Sequence, residues 1–206
     1  MASLYERFVL TKLLKCACSA PPIMKQRQKV VPKAEGRVLE LGIGMGLNLA
    51  FYDAARVTSV TGVDPAAELR RIAEAAPRDP RIAVKVENGT AEALPFEDKS
   101  FDCVVCTFTL CSVCTPPQAL AEARRVLKPG GRFLYAEHGL APDADVAKWQ
   151  RRIEPLWKRI AGGCHLTRPV TRAVQDAGFK VERSDSMYLP GTPRFAGWSE
   201  WGEATV

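Results

Sequence analysis

The 206-residue chain has no uninterrupted apolar run approaching about 18 residues, so no helical membrane span is expected. Nor do its first residues follow the order of a secretory signal, because Glu6 and Arg7 break the apolar positions early. A cytoplasmic protein is the resulting expectation. No G-x-x-x-x-G-K loop followed by Ser or Thr occurs, and the G-x-G-x-x-G spacing is missing, so no pyrophosphate cradle is evident. Imidazole is scarce: His138 and His165 are the only histidines. The chain also lacks internal repeats, linkers and low-complexity tracts, which argues for one domain with a full core.

Cysteine is present but not in a framework. The seven cysteines, at 16, 18, 103, 106, 111, 114 and 164, are odd in number and scattered, which suits free thiols in a reducing compartment. Cys103 and Cys106 fall within an apolar run, where cysteine acts as a small hydrophobe. Cys111, Cys114, Cys164 and His165 could supply four zinc ligands, but their separation is unlike a compact zinc module, and no metal is expected.

What the chain does have is a triple-glycine turn. Gly42, Gly44 and Gly46 follow the apolar run Arg37 to Leu41, which reads as a buried strand, and precede the helix expected over 48–55. Glycine at every second position removes Cβ atoms and lets a ligand approach the backbone. A second strand, Val57 to Asp64, ends in a carboxylate followed by Pro65. An acid about 20 residues beyond such a turn is placed to accept hydrogen bonds from ribose hydroxyls. Together these features point to a nucleoside ligand.

Further strands are expected near 82–86, 101–107 and 132–137, and helices near 66–76, 117–126 and 146–160. Alternation of this kind implies a doubly wound, mostly parallel α/β sheet. Arg168 to Ala177 reads as a helix stopped by Gly178, and Lys180 to Tyr188 and Phe195 to Glu203 as an antiparallel edge pair, giving seven strands. Upstream, Leu4, Tyr5, Phe8, Val9, Leu13 and Leu14 recur at helical spacing, ending near Pro21 and Pro22, with a weaker helix from Ile23 toward Val31. Residues 1–36 are therefore expected as a helical lid segment on a domain spanning 37–206.

The net charge of +6 belongs to the leader. Residues 1–37 carry eight basic and two acidic groups, and the remainder balances at 21 of each. The leader reads as a solvated helix face covering the site, with peripheral contact to anionic lipid as the other reading. Nucleic acid is not an expected partner, since the body is neutral and no N-P-P-Y-like base-handling tetrad occurs. Oligomeric state is left open.

The run Glu40-Leu41-Gly42-Ile43-Gly44-Met45-Gly46, then Val63-Asp64-Pro65, resembles the class I S-adenosylmethionine-dependent methyltransferases. The resemblance continues in order through Ala91 to Phe96, Ser100 to Val105 and Arg125 to Gly131. It implies a Rossmann-like fold and S-adenosylmethionine as cofactor. By the same resemblance, Glu40, Gly42, Gly44, Gly46 and Asn48 serve the methionyl part, and Asp64 and Pro65 the ribose. Thr90, Ala91 and Glu92 then border the adenine, and Thr107 completes the set. Many relatives carry aspartate where this chain has Thr90.

Val104 to Val113, with Ala136-Glu137-His138, Glu154 to Lys158 and Gly162 to Arg168, is similar to the small-thiol S-methyltransferases, a family that includes the animal alkyl thiol methyltransferases. That similarity implies a small thiol or sulfide as methyl acceptor. An O- or N-methyltransferase of a hydrophobic molecule, such as a quinone or amine lipid, is the alternative. A thiol of pKa about 8.5 is already a few per cent ionised near neutrality, whereas a phenol of pKa about 10 needs more help from a base. His138 is the expected base or substrate-orienting group. Tyr5, Cys111, Trp149 and His165 are expected near the acceptor, with Phe8 and Trp157 as further apolar lining.

Overall fold

The structure, a computed structural model, describes residues 18–206. The expected helix over Leu4 to Leu14, with Tyr5 and Phe8, lies outside the described residues.

Period-two alternation divides the core between two faces of a single sheet. From β1 (Gly36–Leu41), β4 (Phe101–Thr107) and β5 (Leu127–His138), one face takes Leu39, Leu41, Val104, Cys106, Phe133 and Tyr135. The opposite face takes Val38, Cys103, Val105, Leu134 and Ala136. The first face is covered by α3 (Pro116–Val126) and α5 (Val170–Asp176), through Leu120, Ala123, Val170 and Val174. The second is covered by α1 (Pro21–Val30) and α2 (Ala67–Glu74), through Val30 and Ala73. Burial on both faces is why these strands read as nearly continuous apolar runs.

The remaining elements are β2 (Val57–Asp64), β3 (Ala83–Asn88), α4 (Ala144–Ile160), β6 (Lys180–Tyr188), the short α6 (Arg194–Gly197) and β7 (Trp198–Thr205). The sheet order is β3-β2-β1-β4-β5-β7-β6. Strands β1 to β5 pair in parallel, and β7 runs antiparallel to both β5 and β6. The order reverses between β1 and β4. Ligands of open α/β sheets lie outside the carboxyl ends of the strands at such a switch.

A helix ends at Cys18, close to Pro21 and Pro22 as expected, and the two prolines open α1, where the missing proline N–H is no loss. Two expectations about elements need correction. The helix expected over 48–55 is a single 3₁₀ turn, Leu49–Phe51. The chain leaves it because Tyr52 turns extended and sends its hydroxyl to Glu40 (2.7 Å), and Asp53 accepts from the Ala55 amide in a tight turn. Residues 194–197 form a helical turn instead of strand, because Pro193 starts it and accepts from the Ala196 amide.

Candidate active site

The three glycines differ in what they do. Gly42 has φ +65°, and a Cβ there would collide with the Thr109 side chain, whose hydroxyl donates to the Leu41 carbonyl (3.1 Å). Gly44 has φ +55°, and a Cβ there would meet nothing closer than the Gly42 carbonyl at 3.8 Å, so its open side faces free space. Gly46 faces away, toward Ala73 and Ala76 beside α2. The tip of β2 holds this loop: Asp64 accepts from the Gly44 amide (3.0 Å) and the Ala66 amide (2.8 Å). Burial raises the Asp64 carboxyl above its ordinary range, against the lowering by these amides.

A cavity of about 380 Å³ opens over these strand ends. It runs from Asp64, Pro65, Thr90, Ala91 and Glu92, across Gly42 and Gly44, to Arg27, Thr107, Phe108 and Ser112. Eight of the expected cofactor residues are therefore brought together around it: Gly42, Gly44, Asp64, Pro65, Thr90, Ala91, Glu92 and Thr107. Glu92 also accepts from the Cys114 amide (2.7 Å) and the Thr115 amide (3.3 Å), fixing the chain before α3.

Glu40 and Asn48 stand behind the wall. Asn48 donates to Glu40 Oε1 and to the Thr107 hydroxyl, both at 2.9 Å, and the Tyr52 hydroxyl donates to Glu40 Oε2. Arg27, from α1, donates to Asn48 Oδ1 (2.9 Å) and Thr107 Oγ1 (2.5 Å). The guanidinium is buried, lies 5.2 Å from the Phe108 ring centroid, and leaves Nε without a partner among the described residues. A sequence reading that treats Arg27 as leader charge misses it, because only tertiary packing carries it into the cavity.

Burial pushes the Glu40 carboxyl from its ordinary 4.5 up to about 7, opposed by the Tyr52 hydrogen bond and Arg27. Between these values the folded state holds a proton that the unfolded chain has released. The stability this group confers in acid is therefore lost as pH rises toward 7. Glu40→Gln should remove about 2–3 kcal/mol of that decline. Urea unfolding of both proteins at several pH values checks this, and parallel slopes for the two would contradict it.

Of the described acceptor-side residues, Cys111 and His138 come together, while the His165 ring and Trp149 are turned elsewhere. His138, at the end of β5, does not line the cavity; its Nε2 lies 3.0 Å from Cys164 Sγ, and its buried Nδ1 has no partner among the described residues. Cys111 is buried beside Ser112, with 3.4 Å between its sulfur and the serine hydroxyl. His165 is drawn away by Glu154, at 3.2 Å, and that carboxylate also accepts from the Leu166 and Thr167 amides. Trp149, expected at the acceptor, is 60% exposed and lines a separate cavity with Val146, Ile153 and Phe195. The face of α4 that turns inward carries Val146, Ala147 and Gln150, and Gln150 bridges the Gly139 and Phe195 carbonyls.

Glu137 is a site residue beyond the expected set. Fully buried, it accepts from the Thr109 (2.7 Å) and Leu110 (3.0 Å) amides and so shapes the loop after β4. The available signal was a carboxylate inside the apolar run Leu134-Tyr135-Ala136. In that loop Phe108 has φ +53°, a backbone region costly for a bulky side chain and often found at functional sites.

Residues 39–135 match the methyltransferase domain family. The chain is 37% identical over 175 residues to the thiol S-methyltransferase TMT1B of Homo sapiens, a match covering 80% of this chain and 71% of that protein. The chain belongs to the S-adenosylmethionine-dependent methyltransferase family. To the thiol S-methyltransferase TMT1B of Rattus norvegicus this methyltransferase is 40% identical over 153 residues, which span 70% of this chain and 60% of that relative. An S-adenosylmethionine-dependent methyltransferase of Thermotoga maritima shares the fold, with a TM-score of 0.68 over 98% of this chain and 97% of that one at 23% identity. The cofactor of the methyltransferase is S-adenosylmethionine. No helix among its described residues is long and apolar enough to cross a membrane.

Proposed function

We propose that the protein transfers the methyl group of S-adenosylmethionine to a small thiol or to sulfide by in-line displacement. The cofactor would lie along the strand order β2-β1-β4, with its ribose hydroxyls on Asp64 and its adenine against Thr90 and Ala91. Its methionyl part would cross Gly42 and Gly44. Arg27 is the one cation among the described residues lining the cavity, and its unpartnered Nε suits the methionyl carboxylate. The methyl group would then face the Phe108–Ser112 side, where the acceptor approaches.

The observation that supports a thiol is the lack of a free base in the cavity wall. Among the described lining residues the carboxylates are Asp64 and Glu92, both already accepting backbone amides, and no histidine is present. A thiol ionises with little assistance, so alignment with the sulfonium can carry much of the rate. A phenol would lose the general-base contribution of about 10²–10⁴. The resemblance to TMT1B supports the same acceptor class.

A product screen with methyl-labelled S-adenosylmethionine and a panel of sulfide, alkyl thiols, phenols and amines tests this reading. Label in methyl thioethers is expected, with kcat/KM for thiols at least about 100-fold above phenols. Label confined to phenols or amines would replace it with the O- or N-methyltransferase alternative.

A further inference from the structure

We propose that Cys111, His138 and Cys164 form a three-donor site for a thiophilic divalent cation of zinc's class, whose fourth position takes the sulfur of the methyl acceptor. This inference deepens the thiol-transfer reading and rests on it. The donors come from three places: the loop after β4, the end of β5 and the loop after α4. Their sulfur and nitrogen atoms all lie within 4.8 Å of one another, and His138 Nε2 lies 3.0 Å from Cys164 Sγ. A tetrahedral zinc with bonds of about 2.3 Å to sulfur and about 2.0 Å to nitrogen sets its donors roughly 3.5–3.8 Å apart. That spacing lies between the 3.0 Å separation of His138 and Cys164 and the 4.8 Å span of the cluster.

The ligand set has the composition of a catalytic site. Two cysteines and one histidine leave one tetrahedral position open, whereas structural zinc sites close with four protein ligands. Among the described residues no fourth donor joins the group. Of the neighbours that sequence spacing suggested, Cys114 is an exposed thiol outside the cluster, and the His165 ring is held at Glu154. Outer contacts hold the donors in place: the His165 amide donates to the Cys111 carbonyl (2.7 Å) and the Trp157 indole N–H to Cys164 Sγ (3.4 Å). Such contacts orient ligands and temper thiolate charge.

The cluster also adjoins the acceptor end of the cavity. Ser112, next to Cys111, and Gly162, two residues before Cys164, both line that cavity. An acceptor thiol entering the open position would release its proton to solvent water and remain as a cation-bound thiolate. Its sulfur would attack the methyl carbon as the bond from that carbon to the sulfonium sulfur breaks, the electron pair passing to the latter. The products are a methyl thioether and S-adenosylhomocysteine. The neutral thioether is a weaker ligand than the thiolate and leaves.

Metal analysis and cobalt titration of the full chain, purified under reducing conditions, test the site. The wild-type protein should bind about one Zn²⁺ or Co²⁺ per chain and show a thiolate-to-cobalt charge-transfer band that shifts when an alkyl thiol is added. His138→Ala and Cys164→Ser should each weaken Co²⁺ binding by more than about tenfold, the lower limit for losing an outer contact. S-adenosylhomocysteine binding by calorimetry confirms that each variant is folded, and Cys111→Ser carries the same test if one is not. Wild-type protein that takes up neither ion, or variants that bind Co²⁺ as it does, would overturn the site. Undiminished thiol methylation by metal-free enzyme would overturn the cation's role while leaving the thiol reading intact. Co²⁺ bound at these residues, with methyl transfer to phenols or amines only, would contradict the thiol reading instead.

Discussion

Asp64→Ala should weaken S-adenosylmethionine binding by about 100-fold or more while leaving kcat at saturating cofactor far less changed. The carboxylate would accept two ribose hydroxyls, and hydrogen bonds to a charged group contribute about 1.5–3 kcal/mol each. Asp64 is buried, so little water replaces the lost acceptor. The substitution also strips the Gly44 and Ala66 amides of their partner, loosening the loop that the cofactor would cross. Because the ribose is remote from the reacting methyl group, the loss belongs to ground-state and transition-state binding alike. Calorimetric titration together with steady-state kinetics separates the two. A large fall in kcat with unchanged affinity would place Asp64 in the chemistry and not in cofactor binding.

Gly44→Val should divide stability from affinity. A β-branched residue at φ +55° costs about 2 kcal/mol of backbone strain, with no packing clash to add, since the nearest atom to its Cβ is 3.8 Å away. Its side chain would nevertheless stand in the space proposed for the methionyl chain, so cofactor affinity should fall by about 100-fold. Gly130→Val is the control. Gly130 has φ +74° at an exposed position near the start of β5, with nothing within 4 Å of an added Cβ, so a similar stability loss should leave cofactor affinity intact. Thermal unfolding and titration of both variants provide the comparison. Equal affinities for the two would remove the cofactor from the Gly44 side of the loop.

Much of this arrangement is legible in the sequence because it is local. The β1 and β4 runs are apolar on both faces, and the Gly42–Gly46 turn and Asp64 sit a fixed distance apart along the chain. Six of the seven expected strands overlap closely with observed ones, and the seventh, β7, begins later because a helical turn precedes it. Failures occur where distant groups decide. Residues 48–55 carry helical spacing, yet Asn48 and Tyr52 are claimed by Glu40, Thr107 and Arg27, which lie elsewhere in the chain. Trp149 occupies a helix whose inward face is chosen by Gln150 and its carbonyl partners, a choice that periodicity alone does not make. The donor cluster shows the same limit: Cys111-x-x-Cys114 suggests a local pair, but parallel β4 and β5 bring His138 to Cys111 instead.

A crystal structure of the full chain with S-adenosylhomocysteine tests the central placement most directly. The ribose hydroxyls should sit on Asp64 and the adenine against Thr90 and Ala91. The carboxylate should pair with Arg27, and the sulfur should face the loop from Phe108 to Ser112. A cofactor product bound with its ribose away from Asp64, or with its sulfur turned from that loop, would contradict the account.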